Sequence, residues 1–407
     1  MAVSRVKTSS ILQGFPKSRS LLVGQPAKMA VPTATDGGTG TTVSVAFTAQ
    51  SGATSYTVLS TPGSFTATGS SSPLTVTGLT SGTAYTFQIS ATNSVGTGPY
   101  SAASNSVTPL APQYYASSMT QSPYVNAWSW STSTGFGSKF ADPSTLPATG
   151  TGNGRSLAVR TGNSAIAVGP NFSGASGIEA YLFSGSGFGS KYAAPASQTG
   201  QVSSYGTNWN AAGDQIAIGV GASPYVYAYP WTVGSGFGTR YSNPGTALPN
   251  FGDSTSWRLG DGQVAFAAVV SPYVSVYNFS SGFGSKYSNP STAIPQVSDG
   301  LQFHPNGNYI GCAYRTDSPY INVYNWSSGF GSKVADPATL PTGCAKVAWS
   351  PLGTTLVIKE SADRLQAYAW SSGFGTKYAD HSALNSGTFI NEVSWNANSD
   401  VVGFSAQ

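Results

Sequence analysis

The tripeptide Gly-Phe-Gly recurs six times along this chain, centred on Phe136, Phe188, Phe237, Phe283, Phe330 and Phe374. The intervals are 52, 49, 46, 47 and 44 residues. Two places after the second glycine there is always a basic residue: Lys139, Lys191, Arg240, Lys286, Lys333 or Lys377. A period of about 20–50 residues marks a unit that cannot bury its own apolar face and must pack on copies of itself.

Each unit contains four strand-like segments, a to d. Segment a ends at Val159, Trp209, Trp257, Phe303, Trp349 and Trp395 in turn. Segment b is short and apolar, as in QIAIGV and YIGCAY. Segment c carries two aromatics two residues apart, as in Trp128 and Trp130, Tyr229 and Trp231, or Tyr324 and Trp326. A period of two puts each pair on one face of its strand. Packing between neighbouring units explains the pairs better than a set of sugar-stacking platforms, because a shared core demands the same residue in every unit. Segment d holds Gly-Phe-Gly and the basic residue.

The order of segments constrains the fold further. The first signature, near residue 125, is c then d, and the last, at 393–406, is a then b. Five full units lie between them. Six sets of four strands result if the two chain ends share one set, which is the arrangement of a six-bladed β-propeller closed by its N- and C-terminal strands. The Pro-x-Gly turns of HPNG and SPLG resemble those of WD-type propeller repeats, but the Trp-Asp and Gly-His pairs of that family are missing.

Residues 29–110 read differently. VSVAFTA (43–49), SYTVLST (55–61), LTVTGLTSG (74–82) and AYTFQISATN (84–93) alternate and are separated by turn residues, which predicts a sandwich of about seven strands. The Leu-Thr-x-Thr-Gly-Leu-Thr-x-Gly-Thr-x-Tyr run ending at Tyr85, followed by SATNSVGTGPYSAAS, resembles the fibronectin type III family. That resemblance implies a corner tied by Tyr85, with Phe47 standing where the family has its strand B tryptophan. The expected organisation is an arm at 1–28, a fibronectin type III-like sandwich at 29–110 and a propeller at 111–407. The fold class is all-β.

Charge is scarce and uneven. Charged residues make up 8% of the chain, and from 29 to 138 the only one is Asp36. Arg5, Lys7, Lys17, Arg19 and Lys28 precede that stretch without an acid among them. Gly14 and Pro16 break the arm, so no continuous helix is expected there. Such an arm suits an anchor to an acidic partner, with Arg5, Lys7, Lys17 and Arg19 as the contacting residues. No window approaches a signal peptide's apolar run or a membrane helix, so neither export by the common route nor membrane insertion is expected.

Chemistry is hard to place. With two cysteines, Cys312 and Cys344, there is no disulfide framework, and His304 and His381 are the only histidines. His304, Asp253 and Asp261 fall in turn-like contexts. Asp142, Asp336 and Asp380 recur after segment d, but Ala194, Asn243 and Asn289 replace them elsewhere, which suits a turn role better than paired catalytic carboxylates. The reading is a non-enzyme without cofactor or metal. The ring of Lys139, Lys191, Arg240, Lys286, Lys333 and Lys377 either protects edge strands or binds an anionic partner, and edge protection is favoured. The opening TSSILQGFPKSRSLL and the GFGSKYADP repeats resemble bacteriophage virion proteins. The resemblance implies a virion appendage (fibre, tail component or capsid decoration) present in multiple copies. It would bind other virion proteins through the arm, present the propeller outward, touch host-surface glycan and not nucleic acid. A carbohydrate-binding adhesin or lectin of another display system is the alternative.

Overall fold

A computed structural model describes residues 24–110, 113–118, 125–131, 135–147, 154–160, 162, 164–170, 177–195, 204–258, 260, 262–344, 346–359, 365–379, 390–395 and 402–406. Every regular element among these residues is a strand. The chain divides into two compact units, Met1–Pro112 and Gln113–Gln407.

The first unit is a sandwich. Strands β1 (Thr33–Asp36), β2 (Val43–Ala46) and β5 (Leu74–Val76) form one sheet. The other is β4 (Thr66–Gly69), β3 (Ser55–Thr61), β6 (Thr86–Asn93) and β7 (Gly96–Thr97). Alternation drives both: Tyr56, Val58 and Ser60 point inward from β3 while their neighbours are half-exposed. Val43, Val45, Val76, Phe87 and Ile89 complete the core, which Met29 also enters. The strand expected over 43–49 ends at Ala46, because the Phe47 N–H donates to Ser72 Oγ at 2.9 Å instead of to a ladder. Phe47 is half-buried, with its ring centroid 4.6 Å from that of Tyr56. Tyr85 ties the expected corner: its hydroxyl accepts from the Thr80 N–H at 3.0 Å. Residues 24–28, assigned to the arm by sequence, lie along this sandwich, where Asn93 Nδ2 donates to the Gly24 carbonyl at 2.7 Å. Arg5, Lys7, Lys17 and Arg19 lie outside the described residues.

The second unit begins with a three-stranded sheet, β8 (Gln113–Ser118), β9 (Val125–Ser131) and β10 (Gly135–Lys139). Five four-stranded antiparallel sheets follow. They are β11 (Gly154–Val159), β12 (Ala165–Pro170), β13 (Glu179–Ser184) and β14 (Gly187–Lys191); then β15 (Ser204–Trp209), β16 (Gln215–Val220), β17 (Val226–Thr232) and β18 (Gly236–Phe237). Next come β19 (Gly252–Trp257), β20 (Gln263–Ala268), β21 (Val274–Phe279) and β22 (Phe283–Lys286). The fourth is β23 (Ser298–Phe303), β24 (Tyr309–Tyr314), β25 (Ile321–Trp326) and β26 (Phe330–Lys333). The fifth is β27 (Lys346–Trp349), β28 (Thr355–Lys359), β29 (Leu365–Trp370) and β30 (Phe374–Lys377). A hairpin, β31 (Ile390–Trp395) and β32 (Val402–Ala406), ends the chain. The four strands of each complete sheet match segments a to d, and the chain is a sandwich followed by a propeller.

Successive blades pack large face on small face. In the second complete blade, Ile216, Ile218, Tyr227, Tyr229 and Trp231 point back onto Ala165, Ala167 and Ala180 of the blade before. The opposite face of the same strands offers Ala217, Val226 and Ala228 to Trp257, Phe266 and Tyr277 of the blade after. The paired aromatics of segment c are therefore core, with Tyr181, Tyr229, Tyr277, Tyr324 and Tyr368 all fully buried. Polar side chains lace neighbouring a strands together. Trp257 Nε1 donates to Asn208 O at 3.1 Å, and the Phe303 N–H donates to Ser256 Oγ at 3.0 Å. At the a–b turns, Arg258 Nε reaches Gly307 O at 2.7 Å, and His304 Nε2 lies 2.9 Å from Gly353 O. His304 is thus a blade-to-blade staple.

The repeated tripeptide follows from this packing. Its phenylalanine packs edge-on against both aromatics of its own c strand: Phe237 lies 5.7 Å from Tyr229 and 4.9 Å from Trp231. At Gly187, Gly236, Gly282 and Gly329 its first glycine turns at positive φ beneath the aromatic that follows the basic residue of the preceding blade, whereas Gly373, which faces Val334, does not. A Cβ on Gly236 would lie 2.9 Å from Tyr192, and one on Gly187 3.1 Å from Phe140. Its second glycine faces the c-strand residue between the aromatics, so a Cβ on Gly238 would meet Pro230 at 2.7 Å.

The chain ends meet in a different way from that expected. Strands β9 and β10 were to share a blade with 393–406. Instead β8 pairs with β9 from Gln113↔Trp130 to Ser118↔Val125, and no ladder joins the terminal hairpin to that sheet among the described residues. Strand β32 lies against β8. The cause is legible in the sequence: Gln113 stands nine residues before Ser122-Pro-Tyr, much as Gln215 and Gln263 stand eight before Ser223-Pro-Tyr and Ser271-Pro-Tyr. Residues 113–118 are a b-type strand that the segment count left out.

Candidate functional site

An antiparallel a-b-c-d blade puts the start of a, the end of b, the start of c and the end of d at one end. The basic residues lie at this end, on edge strand d. Lys191, Lys286, Lys333 and Lys377 each stand opposite the first aromatic of strand c.

Their charges are engaged locally. Lys139 pairs with Asp142 and Lys333 with Asp336, both at 2.6 Å. Lys286 donates to Asn289 Oδ1 at 2.6 Å, and burial lowers its pKa. The residue three places on is therefore the partner in these blades. Where that place holds Ala194, Lys191 turns instead to Glu179 Oε1 at 2.7 Å. Glu179 is only 2% exposed and also accepts from the Tyr181 hydroxyl at 3.3 Å, and burial followed by this carboxylate raises the Tyr181 pKa. Arg240 lies over the Tyr227 ring, 4.3 Å from its centroid. Asp380, beyond Lys377, lies outside the described residues, as do Asp261 and His381.

Nearer the a strands is a constellation that sequence reasoning missed. Asp299, buried at 7% exposure, accepts from Arg315 Nε through Oδ2. Lys346 Nζ, from the next blade, donates to the Asp299 carbonyl at 2.8 Å. Asp253 of the preceding blade adds its charge. Burial is the main reason the Asp299 carboxyl is held above its usual range; Asp253 pushes the same way, and Arg315 and Lys346 oppose it. Reading Asp253 as a turn residue missed this, because the three blades meet only in space. Cys312 is fully buried, and desolvation pushes its thiol far above the ordinary value. Among the described residues no three histidine, cysteine or acidic side chains gather as a metal site, and no helix is long and apolar enough to cross a membrane.

Fold and site together define an all-β class of chain, a sandwich joined to a propeller with a ring of basic residues and a mixed-charge constellation at one end. Residues 31–107 match the family of the fibronectin type III domain. Among solved structures, a chain of one titled "Crystal Structure of Mitotic Checkpoint Complex" is similar over 69% of this chain and 78% of that one. Its sequence identity is 16% and its TM-score 0.50, a likeness of fold alone. No curated protein matches the sequence.

Proposed function

We propose that this chain is a non-enzymatic bacteriophage virion appendage: the basic arm anchors it to other virion proteins, the sandwich is a spacer, and the propeller faces outward for adhesion. The observation that carries the reading is how the blade-repeated residues are used. The aromatics, the glycines and the basic side chains all serve packing or local pairing, which leaves the less repetitive connections between strands for a partner. The arm concentrates Arg5, Lys7, Lys17, Arg19 and Lys28 in a chain otherwise poor in charge, as an electrostatic anchor requires.

Purified particles test this. The chain is expected among virion proteins, and a version starting at residue 24, which keeps the segment that lies along the sandwich, is expected to fold yet stay off the particle. Its absence from virions, with secretion or surface display elsewhere, would favour the carbohydrate-binding adhesin instead. Normal assembly of the truncated version would refute the anchor.

A further inference from the structure

Three consecutive blades carry Ser-Pro-Tyr in the turn between strands b and c, at 223–225, 271–273 and 318–320. The tyrosines sit at φ 70°, 66° and 68°. A bulky L residue in this left-handed region is an outlier, where glycine or asparagine would be the ordinary choice. Such strain persists when the residue has another task, and it gathers at binding sites. Part of that task is packing: Tyr225, Tyr273 and Tyr320 each rest, half-buried, on a core cluster that joins their own blade to its neighbour. Phenylalanine would cap a junction as well. The hydroxyls are what capping does not need, and none of the three has a hydrogen-bond partner among the described residues.

These turns open at the same end as the Asp253, Asp299, Arg315 and Lys346 constellation. A Cβ on Gly252, next to Asp253, would lie 3.3 Å from the Tyr225 carbonyl, so the turn abuts the start of the next a strand. Arg315 belongs to the same b–c connection as Tyr320. Its side chain is 63% exposed, and beyond the Nε bond to Asp299 it has guanidinium N–H groups to offer. Burial and the neighbouring Asp253 charge raise the Asp299 pKa, an unfavourable setting that fits a group kept for binding and not for stability.

We propose that this end of the propeller binds a neutral polysaccharide, with the rings of Tyr225, Tyr273 and Tyr320 as stacking platforms and their hydroxyls, together with Asp253, Asp299 and Arg315, as the groups that bond the sugar hydroxyls. Aromatic rings accept the C–H face of a pyranose, while carboxylates and guanidinium bond to its vicinal hydroxyls. The two acids and two bases of the constellation balance, which favours an uncharged ligand. A rim repeated from blade to blade suits a ligand that itself repeats. This rests on the adhesion reading above and names its ligand class.

The full chain would be tested on an array of neutral hexose oligosaccharides beside uronate and sialyl counterparts. Binding to neutral members is expected, weakened at least tenfold in the combined Tyr225→Phe, Tyr273→Phe, Tyr320→Phe variant and again in Arg315→Gln. The Phe variant keeps the rings, so an unchanged urea midpoint is expected and separates lost binding from lost folding. Binding to acidic members alone, no binding at all, or binding undiminished in both variants would each overturn the proposal. Particles that lack the chain would sink the virion reading while leaving the array result standing. Particles that carry it and still adsorb with both variants would sink this site while leaving the virion reading intact.

Discussion

Gly234 and Gly236 form a matched pair in one turn, and together they isolate the contact that the repeated glycine makes between blades. Their φ angles are 87° and 85°. A Cβ on Gly234 meets nothing within 4 Å, whereas one on Gly236 would lie 2.9 Å from Tyr192 Cδ1. Gly234→Ala should therefore cost only the left-handed backbone penalty, about 1–2 kcal/mol. Gly236→Ala adds displacement of the Tyr192 ring, which stands edge-on to Trp231 at 4.7 Å. An aromatic pair of this kind contributes about 0.5–1.5 kcal/mol beyond its buried area. The total for Gly236→Ala is then roughly 1.5–3.5 kcal/mol. Urea unfolding followed by tryptophan fluorescence gives both values, provided the slope is unchanged. In a Tyr192→Ala background the two glycine substitutions should cost the same, because the ring is gone. Equal costs in the wild-type background would refute the claim that the first glycine of the tripeptide exists to seat the preceding blade's aromatic.

Other outcomes can be checked on the same protein. Lys191→Met should destabilise by about 2–4 kcal/mol, because it leaves the buried Glu179 carboxylate without its cation, whereas Lys139→Met, at a solvent-exposed pair, should cost under about 0.5 kcal/mol by urea midpoint. Asp299→Asn should be neutral to stabilising, within about 1 kcal/mol at pH 7, since it removes a charge that burial disfavours. The raised Asp299 pKa means the folded chain holds a proton that the unfolded chain releases. That contribution is present below the ordinary 3.8 and lost as pH climbs through the raised value, so the gain from Asn should shrink in melts run near pH 3. Tyr85→Phe should lower the stability of the sandwich by about 1 kcal/mol in a denaturant titration, the worth of one hydrogen bond to the Thr80 amide.

Much of this architecture is legible without coordinates. Segment a ends at Val159, Trp209, Trp257, Phe303, Trp349 and Trp395, and β11, β15, β19, β23, β27 and β31 end there. Repetition made this possible, because six copies of one solution expose which positions the packing dictates. What repetition does not dictate stayed hidden. Strand β8 precedes the first c–d signature, and no Gly-Phe-Gly marks it, so it fell outside the segment count. The Asp253, Asp299, Arg315 and Lys346 constellation draws one residue from each of four separated segments, and no spacing announces it. The tyrosines of Ser-Pro-Tyr are ordinary in sequence, and only their backbone angle sets them apart.

The large-on-small packing has a consequence for assembly. Every blade joins the next through two different faces, so the junction is heterologous, and a heterologous junction either closes on itself or propagates without limit. The fifth complete blade shows what the open case would expose. Tyr378 holds the place that Phe140, Tyr192 and Tyr241 hold in earlier blades, yet it is 49% exposed. Ala348 and Val357 form a small cluster of their own on that blade. Left bare, such a face could receive the aromatic face of another molecule's blade and begin a fibril. Strand β31 packs on β27 and β28, so part of that face is already covered within the chain itself.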